Sequence, residues 1–161
     1  MSNFTPYPHQ DAGIDWIISR DACALFWGMG SGKTVTTLTA LDLLLNDYLE
    51  TGPVLVIAPK RVAENTWSKE CQKWEHLQHL RVTKIMGTAK QRKDALRRIF
   101  DKSADLFVIN RENVVWLVEQ VGKRWPFPIV VIESCPASSP PRPSAGKPSA
   151  VSAVRSSASS G

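Results

Sequence analysis

The chain has 161 residues, of which 43% are hydrophobic, so its length and composition allow one domain with a sizeable core. The formal net charge of +5 favours an anionic partner. The sequence contains neither a signal peptide nor a long apolar run, which argues against export or a membrane partner. The spacing of Cys23, Cys71 and Cys135 fits neither a metal site nor a redox motif, so we expect reduced thiols in a cytosolic protein.

Short apolar runs alternate with helical patterns from the N-terminus to residue 133. A first helix is predicted where Ile14, Ile17 and Ile18 lie on one side. The apolar runs that follow are continuous, which is typical of strands covered on both faces in a parallel sheet. The predicted strands are 24–27, 54–58, 82–86, 106–109 and 129–132, and the predicted helices between them are 33–48, 62–76, 89–101 and 112–121. This order predicts an open three-layer α/β sandwich.

The composition changes abruptly after Glu133. Residues 134–161 consist mainly of serine, alanine and proline, and they include no acidic and no aromatic residue. Because such a segment buries too little apolar surface to offset the entropy of ordering, we expect a disordered C-terminal tail.

Residues 25–35 run from an apolar strand through a glycine-rich turn into a helix. Gly30 and Gly32 let the backbone approach phosphate oxygens, and the N–H groups of the turn form an anion cradle with the helix N-terminus. Lys33 is expected to reach the β- and γ-phosphates of a nucleotide, and Thr34 to place its hydroxyl on Mg²⁺. The segment therefore predicts a nucleotide phosphate site.

This loop departs from the strict phosphate-loop pattern at one position. Trp27 stands where that pattern has glycine, so the fit is to the variant in which only the two glycines flanking Ser31 are fixed. A chance glycine-rich turn is the alternative explanation. The order of strand, turn and helix favours nucleotide binding.

Two N-terminal motifs resemble the first motor domain of superfamily 2 helicases, and in particular the Swi/Snf-type DNA translocases in their short phage-encoded versions. Tyr7-Pro-His-Gln10, followed by Gly13 and Trp16, is similar to the family's Y-x-x-Q…G…W segment, in which the glutamine reads the adenine edge and the aromatic residue packs nearby. Residues 29–34 match the family's M-G-x-G-K-T. The residues that this resemblance assigns to ATP are Tyr7, Gln10, Met29, Gly30, Ser31, Gly32, Lys33 and Thr34.

Two later segments carry weaker matches in the family's order and spacing. Val56-Ile-Ala-Pro59, followed by Trp67, Glu70 and Trp74, is similar to the family's motif Ia, which lies along the DNA backbone. Residues 108–113 fall at the family's next DNA-contacting turn. The resemblance thus implies DNA contacts from Pro59, Lys60, Arg61, Asn110 and Arg111.

The resemblance covers about residues 5–133 and implies a RecA-like P-loop sandwich with a mainly parallel sheet, here an incomplete N-terminal helicase ATP-binding domain over residues 1–133. It implies ATP and Mg²⁺ as cofactors and duplex DNA as a partner, with replication or recombination proteins as further candidates. In the family, ATP hydrolysis drives translocation or remodelling on DNA. The expected location is the cytoplasm of a bacterium or of a phage-infected host.

The family's next strand ends in Asp-Glu, where the Asp holds Mg²⁺ through water and the Glu orients the attacking water. Here Ile132 is followed by Glu133 and Ser134. If one pyrimidine is inserted after the second base of the Glu133 codon, a permitted set of codons reads Asp-Glu-Leu-Ser-Ser-Phe-Lys, which resembles the family's motif II region. We therefore expect a single-base deletion, in the gene or in its recorded sequence. A natural short protein with a low-complexity tail is the alternative.

Lys33 and Glu133 are the catalytic candidates in this chain. Phosphoryl transfer depends on positioning and on charge stabilisation by a metal ion and arginine. The sequence has neither the second acid nor the arginine-bearing second motor domain, so we expect at most weak ATP binding without meaningful turnover. One alternative is a nonenzymatic module that binds DNA or a replication protein. A small P-loop kinase is disfavoured by the motif order.

Three further features have simpler explanations than a functional site. His76 and His79 lie near Cys71 but lack the partners of a metal site. Trp67 and Trp74 stand seven residues apart on one stripe of a helix, which predicts packing against the sheet. A basic cluster is more typical of a solvated helix face than of a phosphate-binding surface. Its members are Lys90, Arg92, Lys93, Arg97 and Arg98.

Overall fold

A computed structural model describes residues 3–20, 22–27, 32–46, 53–134 and 149–155. The α-helices in these ranges are α1 (Pro8–Ile18), α2 (Lys33–Asn46), α3 (Lys60–Lys73), α4 (Ala89–Phe100) and α5 (Val114–Val121). The strands are β1 (Ala22–Trp27), β2 (Val54–Ala58), β3 (Val82–Ile85), β4 (Leu106–Asn110), β5 (Ile129–Ser134) and β6 (Ser149–Arg155). The predicted alternation of strands and helices up to residue 133 is confirmed. None of the helices in the described ranges is long and apolar enough to cross a bilayer.

The strands form one sheet in the order β1-β6-β5-β2-β4-β3. β2 pairs in parallel with both β4 and β5, and β3 pairs in parallel with β4, so these four strands form a parallel block. β1 and β5 both run antiparallel to β6 and are therefore parallel to each other. The carboxyl ends of β1 and of the parallel block consequently face one edge of the sheet, which is where open α/β sheets bind their ligands.

Alternate residues of the buried strands face two separate cores. In β2, Val54, Val56 and Ala58 pack in a cluster with residues of α1, α2 and α3, whereas Leu55 packs in a second cluster with residues of α4 and α5. This division is why the strands have continuous apolar runs, since both faces of the sheet are covered. The predicted three-layer α/β sandwich is confirmed.

The first turn of α1 is organised by its own side chains. Pro8 begins the helix, where its missing N–H costs nothing. The Gln10 side-chain oxygen accepts a hydrogen bond from the Tyr7 backbone N–H at 2.9 Å. Gln10 is 5% exposed, so this local bond also fixes the orientation of a buried amide.

β6 lies within the segment for which the sequence predicted disorder, and the structure differs from that prediction over Ser149–Arg155. Its backbone pairs with β1 on one side and with β5 on the other. Without it, β1 and β5 would each present unpaired N–H and C=O groups inside the sheet, and a short segment of small and β-branched residues can satisfy both edges. Ser134 ends β5, and the rest of the predicted tail, 135–148 and 156–161, lies outside the described residues.

Candidate functional site

A cavity of about 810 Å³ opens at the carboxyl edge of the sheet. The N-terminal segment, the start of α2, one side of α3 and the end of β5 line it. It contains all the predicted nucleotide and catalytic residues that the structure describes, namely Tyr7, Gln10, Gly32, Lys33, Thr34 and Glu133. The predicted residues Met29, Gly30 and Ser31 lie outside the described residues. The volume is within the range typical of small-molecule sites.

The turn into α2 places a buried lysine at the base of this cavity. Gly32 has a φ of +77°, a left-handed conformation that favours glycine. Its carbonyl oxygen accepts hydrogen bonds from the N–H and the hydroxyl of Thr36, at 3.1 and 2.8 Å. Lys33 begins α2 and is 8% exposed. The cationic side chain and the positive end of the helix dipole therefore both favour an anion here.

Gln10 packs directly against the phosphate-loop residue Gly32. The φ of Gly32 favours glycine, and a Cβ there would collide with Gln10 Nε2, so the Gln10 amide would have to move away. Tyr7 is 67% exposed, and its ring stacks on the His9 ring with centroids 5.9 Å apart. The structure thus joins the predicted adenine-reading amide to the predicted phosphate loop.

The Glu133 carboxylate stands at the end of β5, where it accepts a hydrogen bond and is influenced by two cations. Trp67 Nε1 donates to Glu133 Oε2 at 3.0 Å. Burial raises the pKa of the Glu133 carboxyl above its ordinary value, because the charged form loses hydration. The Trp67 hydrogen bond and the positive charges of Lys33 and Arg111 oppose that rise in the pKa. Glu133 therefore combines poor hydration with a fixed orientation.

Trp67 is a site residue that its sequence context did not reveal. Its predicted packing role is confirmed, because it is 0% exposed and belongs to the core under α3. Its indole N–H nevertheless reaches the acid of the candidate site. A buried tryptophan usually needs an acceptor for its N–H, and that rule could have directed attention to the nearest strand end. The acceptor itself could not be identified, since Glu133 is 66 residues away.

Two more aromatic residues line the opening of the cavity. Trp74 Nε1 donates to Glu70 Oε2 at 2.8 Å, and the Phe4 ring meets the Trp74 ring edge-on with centroids 5.3 Å apart. Phe4 also stacks on the His76 ring at 5.2 Å. These contacts hold the N-terminal segment against the end of α3 and give the cavity an aromatic wall.

The residues predicted to contact DNA lie at the ends of β2 and β4, which are neighbours in the sheet. Pro59 directly follows β2, and Lys60 and Arg61 are exposed at the start of α3. Asn110 ends β4 and is 6% exposed, and its side chain bonds to the side chains of the following turn. Asn110 therefore shapes that turn, and Arg111 is the exposed residue of this pair.

The side chains of the two histidines and of Arg92 contact other side chains of this chain. His76 Nε2 lies 2.8 Å from Thr39 Oγ1, and His79 Nε2 lies 2.6 Å from Asp42 Oδ1. In the part of the chain that the structure describes, no three His, Cys, Asp or Glu residues are grouped as metal ligands. Lys90, Lys93, Arg97 and Arg98 are exposed on α4, and the Arg92 guanidinium lies over the Trp116 ring, 4.6 Å from its centroid.

The donor set fits a magnesium nucleotide. Lys33 and the N-terminus of α2 supply positive charge for phosphates, and Thr34 supplies a hydroxyl next to them. Hydroxyl and carboxylate oxygens are the ligands that Mg²⁺ prefers, and it commonly keeps water between itself and a carboxylate such as Glu133. The residues present can therefore hold the phosphates and contribute to a Mg²⁺ site.

Comparison with known proteins gives a consistent set of similarities. The SNF2-related domain family matches residues 9–133. The chain is 42% identical over 133 residues to putative protein p41 of Acyrthosiphon pisum secondary endosymbiont phage 1, covering 83% of this chain and 28% of that protein. It is 29% identical over 129 residues to the ISWI chromatin-remodeling complex ATPase ISW2 of Saccharomyces cerevisiae, covering 78% of this chain and 11% of the relative.

A solved structure of similar fold is the Sulfolobus solfataricus SWI2/SNF2 ATPase core in complex with dsDNA. The TM-score is 0.59 at 23% identity, and the match covers 78% of this chain and 27% of that one. At this identity the likeness supports the fold alone. The chain spans less than a third of each of these three proteins.

Proposed function

The chain belongs to the SNF2-related domain family, as its motifs predicted, and on that premise we propose that it binds ATP with Mg²⁺ as the first motor domain of a DNA-dependent translocase. The observation that carries this proposal is the meeting of Gly32, Lys33 and Glu133 in one cavity at the carboxyl edge of the sheet. The positive φ of Gly32 turns the chain into α2, which brings the helix N-terminus and the lysine to the same point.

Each residue of the cavity has a distinct role in this proposal. Lys33 binds phosphate oxygens, and Thr34 holds Mg²⁺ through its hydroxyl. Glu133 would hold a water of the metal ion, and Gln10, which packs against Gly32, would recognise the adenine edge. Bound Mg²⁺ would neutralise the charge that develops on the phosphates.

We infer that turnover by this chain is slow. In the described part of the chain, the carboxylates lining the cavity are Glu70 and Glu133, and Glu70 accepts the indole N–H of Trp74. Ser134 stands where the resemblance places the water-orienting Glu. The family match stops at residue 133, which supports a shift of reading frame at that codon. The nucleotide sequence of the locus tests this directly, and an intact frame with unrelated codons would contradict it.

Nucleotide binding is tested with a fluorescent ATP analogue, followed by anisotropy with and without Mg²⁺. Lys33→Ala is expected to weaken binding by roughly a hundredfold, because a buried charge-assisted contact is lost. Lys90→Ala, an exposed lysine of α4, is the matched control and should leave the affinity unchanged. Equal affinities of wild type and Lys33→Ala would refute the assignment of the cavity.

DNA binding and turnover require a second experiment. Duplex DNA is expected to bind with an affinity that falls steeply as salt rises, and Arg61→Ala should reduce that salt dependence. Phosphate release in the presence of DNA is expected to stay close to background. Rapid DNA-stimulated release would overturn the inference of slow turnover. The nonenzymatic module would instead be favoured by a monomer that melts cooperatively and binds DNA in a salt-sensitive way, if nucleotide does not change that binding.

A further inference from the structure

Glu133 is held at two places, and the second contact comes from a residue that the sequence assigned to DNA. The first contact is the indole of Trp67 on the carboxylate. The second is on the main chain, where Arg111 Nη2 donates to the Glu133 carbonyl oxygen at 2.9 Å. The two donors belong to different elements, α3 and the turn after β4, and they bind opposite ends of one residue.

The position of the Arg111 contact follows from the sheet register. The β2–β5 pairs run from Val54–Ile129 to Ile57–Ile132 and stop one residue before Glu133. On its other side Glu133 still pairs with Val151 of β6, whereas on the β2 side the ladder has ended and Arg111 is the donor to its carbonyl oxygen. β4 lies on the other side of β2, about 10 Å from β5 at the usual strand spacing. An arginine at the start of the turn after β4 is long enough to cross the end of β2 and supply the donor.

Side-chain hydrogen bonds hold the turn that carries Arg111. Asn113 Nδ2 donates to Asn110 Oδ1 at 2.6 Å, and Asn110 Nδ2 donates to Glu112. Arg92 on α4 reaches the same network, with Nη1 3.5 Å from Asn113 Oδ1. These bonds connect the residues on both sides of Arg111 to each other and to α4, which suits a positioning contact.

We propose that Arg111 is a positioning residue of the nucleotide site. By holding the Glu133 carbonyl oxygen it fixes the end of β5, and together with Trp67 it keeps the Glu133 carboxylate turned toward Lys33. The inference rests on the proposed function, because it gives Glu133 a role in the Mg²⁺-dependent part of nucleotide binding. It also means that DNA phosphate contact is not required to explain an arginine at this position.

The test compares Arg111→Met, which keeps the length but removes the donors, with Arg111→Lys, which keeps a cationic donor. Arg61→Met is the matched control, because Arg61 is an exposed cation at the same edge of the sheet. The first measurement is the indole ¹H–¹⁵N resonance of Trp67 in the nucleotide-free protein, assigned with Trp67→Phe. Arg111→Met is expected to shift this resonance, Arg111→Lys to shift it less, and Arg61→Met to leave it in place.

The second measurement is the gain in affinity for the ATP analogue when Mg²⁺ is added. Arg111→Met is expected to lower that gain by roughly tenfold while the affinity without Mg²⁺ changes by less than about twofold. An unmoved Trp67 resonance in Arg111→Met, or equal losses with and without Mg²⁺, would overturn the proposal. If the methionine variant fails to fold, Arg111→Gln, whose neutral side chain is too short to cross the end of β2, takes its place in both measurements. A wild type that binds no nucleotide would refute the proposed function, whereas the resonance would still decide the role of Arg111.

Discussion

The hydrogen bond from Trp67 to Glu133 leads to a prediction about stability and pH. Trp67→Phe keeps an aromatic ring in the core under α3 but removes the indole N–H that donates to Glu133 Oε2 at 3.0 Å. Two costs follow. One is the smaller ring in a fully buried position, which does not depend on pH. The other is the lost bond to a carboxylate, which depends on whether Glu133 is ionised.

The pH-dependent cost has a definite sign. Burial raises the pKa of Glu133 in the folded state above its ordinary value of 4.5. This group therefore contributes stability that is present below pH 4.5 and is lost as the pH rises through the folded-state pKa. Removing the donor raises that pKa further. A bond to a charged acceptor contributes about 1.5–3 kcal/mol and a bond to a neutral one about 0.5–1.5 kcal/mol, so the variant should lose roughly 1 kcal/mol more at neutral pH than in acid.

The assay is urea unfolding followed by far-UV circular dichroism, at neutral pH and near pH 4.5. Trp116→Phe is the control, since Trp116 is a half-buried tryptophan whose ring lies under the Arg92 guanidinium. The loss in free energy of unfolding caused by Trp116→Phe should be nearly the same at both pH values. If Trp67→Phe also costs the same at both values, the indole does not act through the carboxylate, and the reasoning about the acid end of the site is refuted.

Three other outcomes follow from the same structure. Gly32→Ala should destabilise the fold by about 1–3 kcal/mol in urea unfolding, because the alanine is strained at a positive φ and its Cβ meets Gln10. In the double variant Gln10→Ala/Gly32→Ala, the added cost of the glycine substitution should be smaller. Gln10→Ala by itself should lower the preference for ATP over GTP by about 5- to 30-fold in competition binding, and an unchanged preference would remove Gln10 from the base site. Burial raises the pKa of Cys71 to about 12, so its thiol should stay protonated and unreactive at mildly alkaline pH. In a Cys23→Ser/Cys135→Ser variant, which keeps Cys71 alone, a disulfide reagent should react with the thiol only after urea is added.

Periodicity was sufficient to predict most of the elements. The continuous run 54–58 predicted a strand covered on both faces, and β2 occupies those residues with side chains in two cores. Periodicity was less useful for predicting strands that form only because distant parts of the chain pair with them. β6 forms in a segment of poor composition because two strand edges are available to it, and nothing within that segment indicates them.

The site residues likewise differ in whether local sequence or the folded sheet determines what they contact. Gly32, Lys33 and Thr34 are adjacent in the chain, so their chemistry could be inferred from local order alone. Asn110 and Arg111 were both expected at DNA, yet the structure buries the first in its own turn and brings the second to the Glu133 carbonyl. Adjacent residues at a strand end point in different directions, and the register with neighbouring strands decides what each one meets.

The sequence by itself determined the alternation of strands and helices and the family, and it predicted the phosphate loop, because these depend on spacing within short segments. Only the tertiary structure decided which groups meet the acid at the end of β5. Trp67 and Arg111 are 66 and 22 residues from Glu133, and they reach it because parallel strands end at one edge of the sheet. A buried indole N–H needs an acceptor, and a carbonyl beyond the end of the β2–β5 ladder accepts a further donor. Only the packed sheet shows that the Glu133 carboxylate supplies the acceptor and that Arg111 supplies the donor.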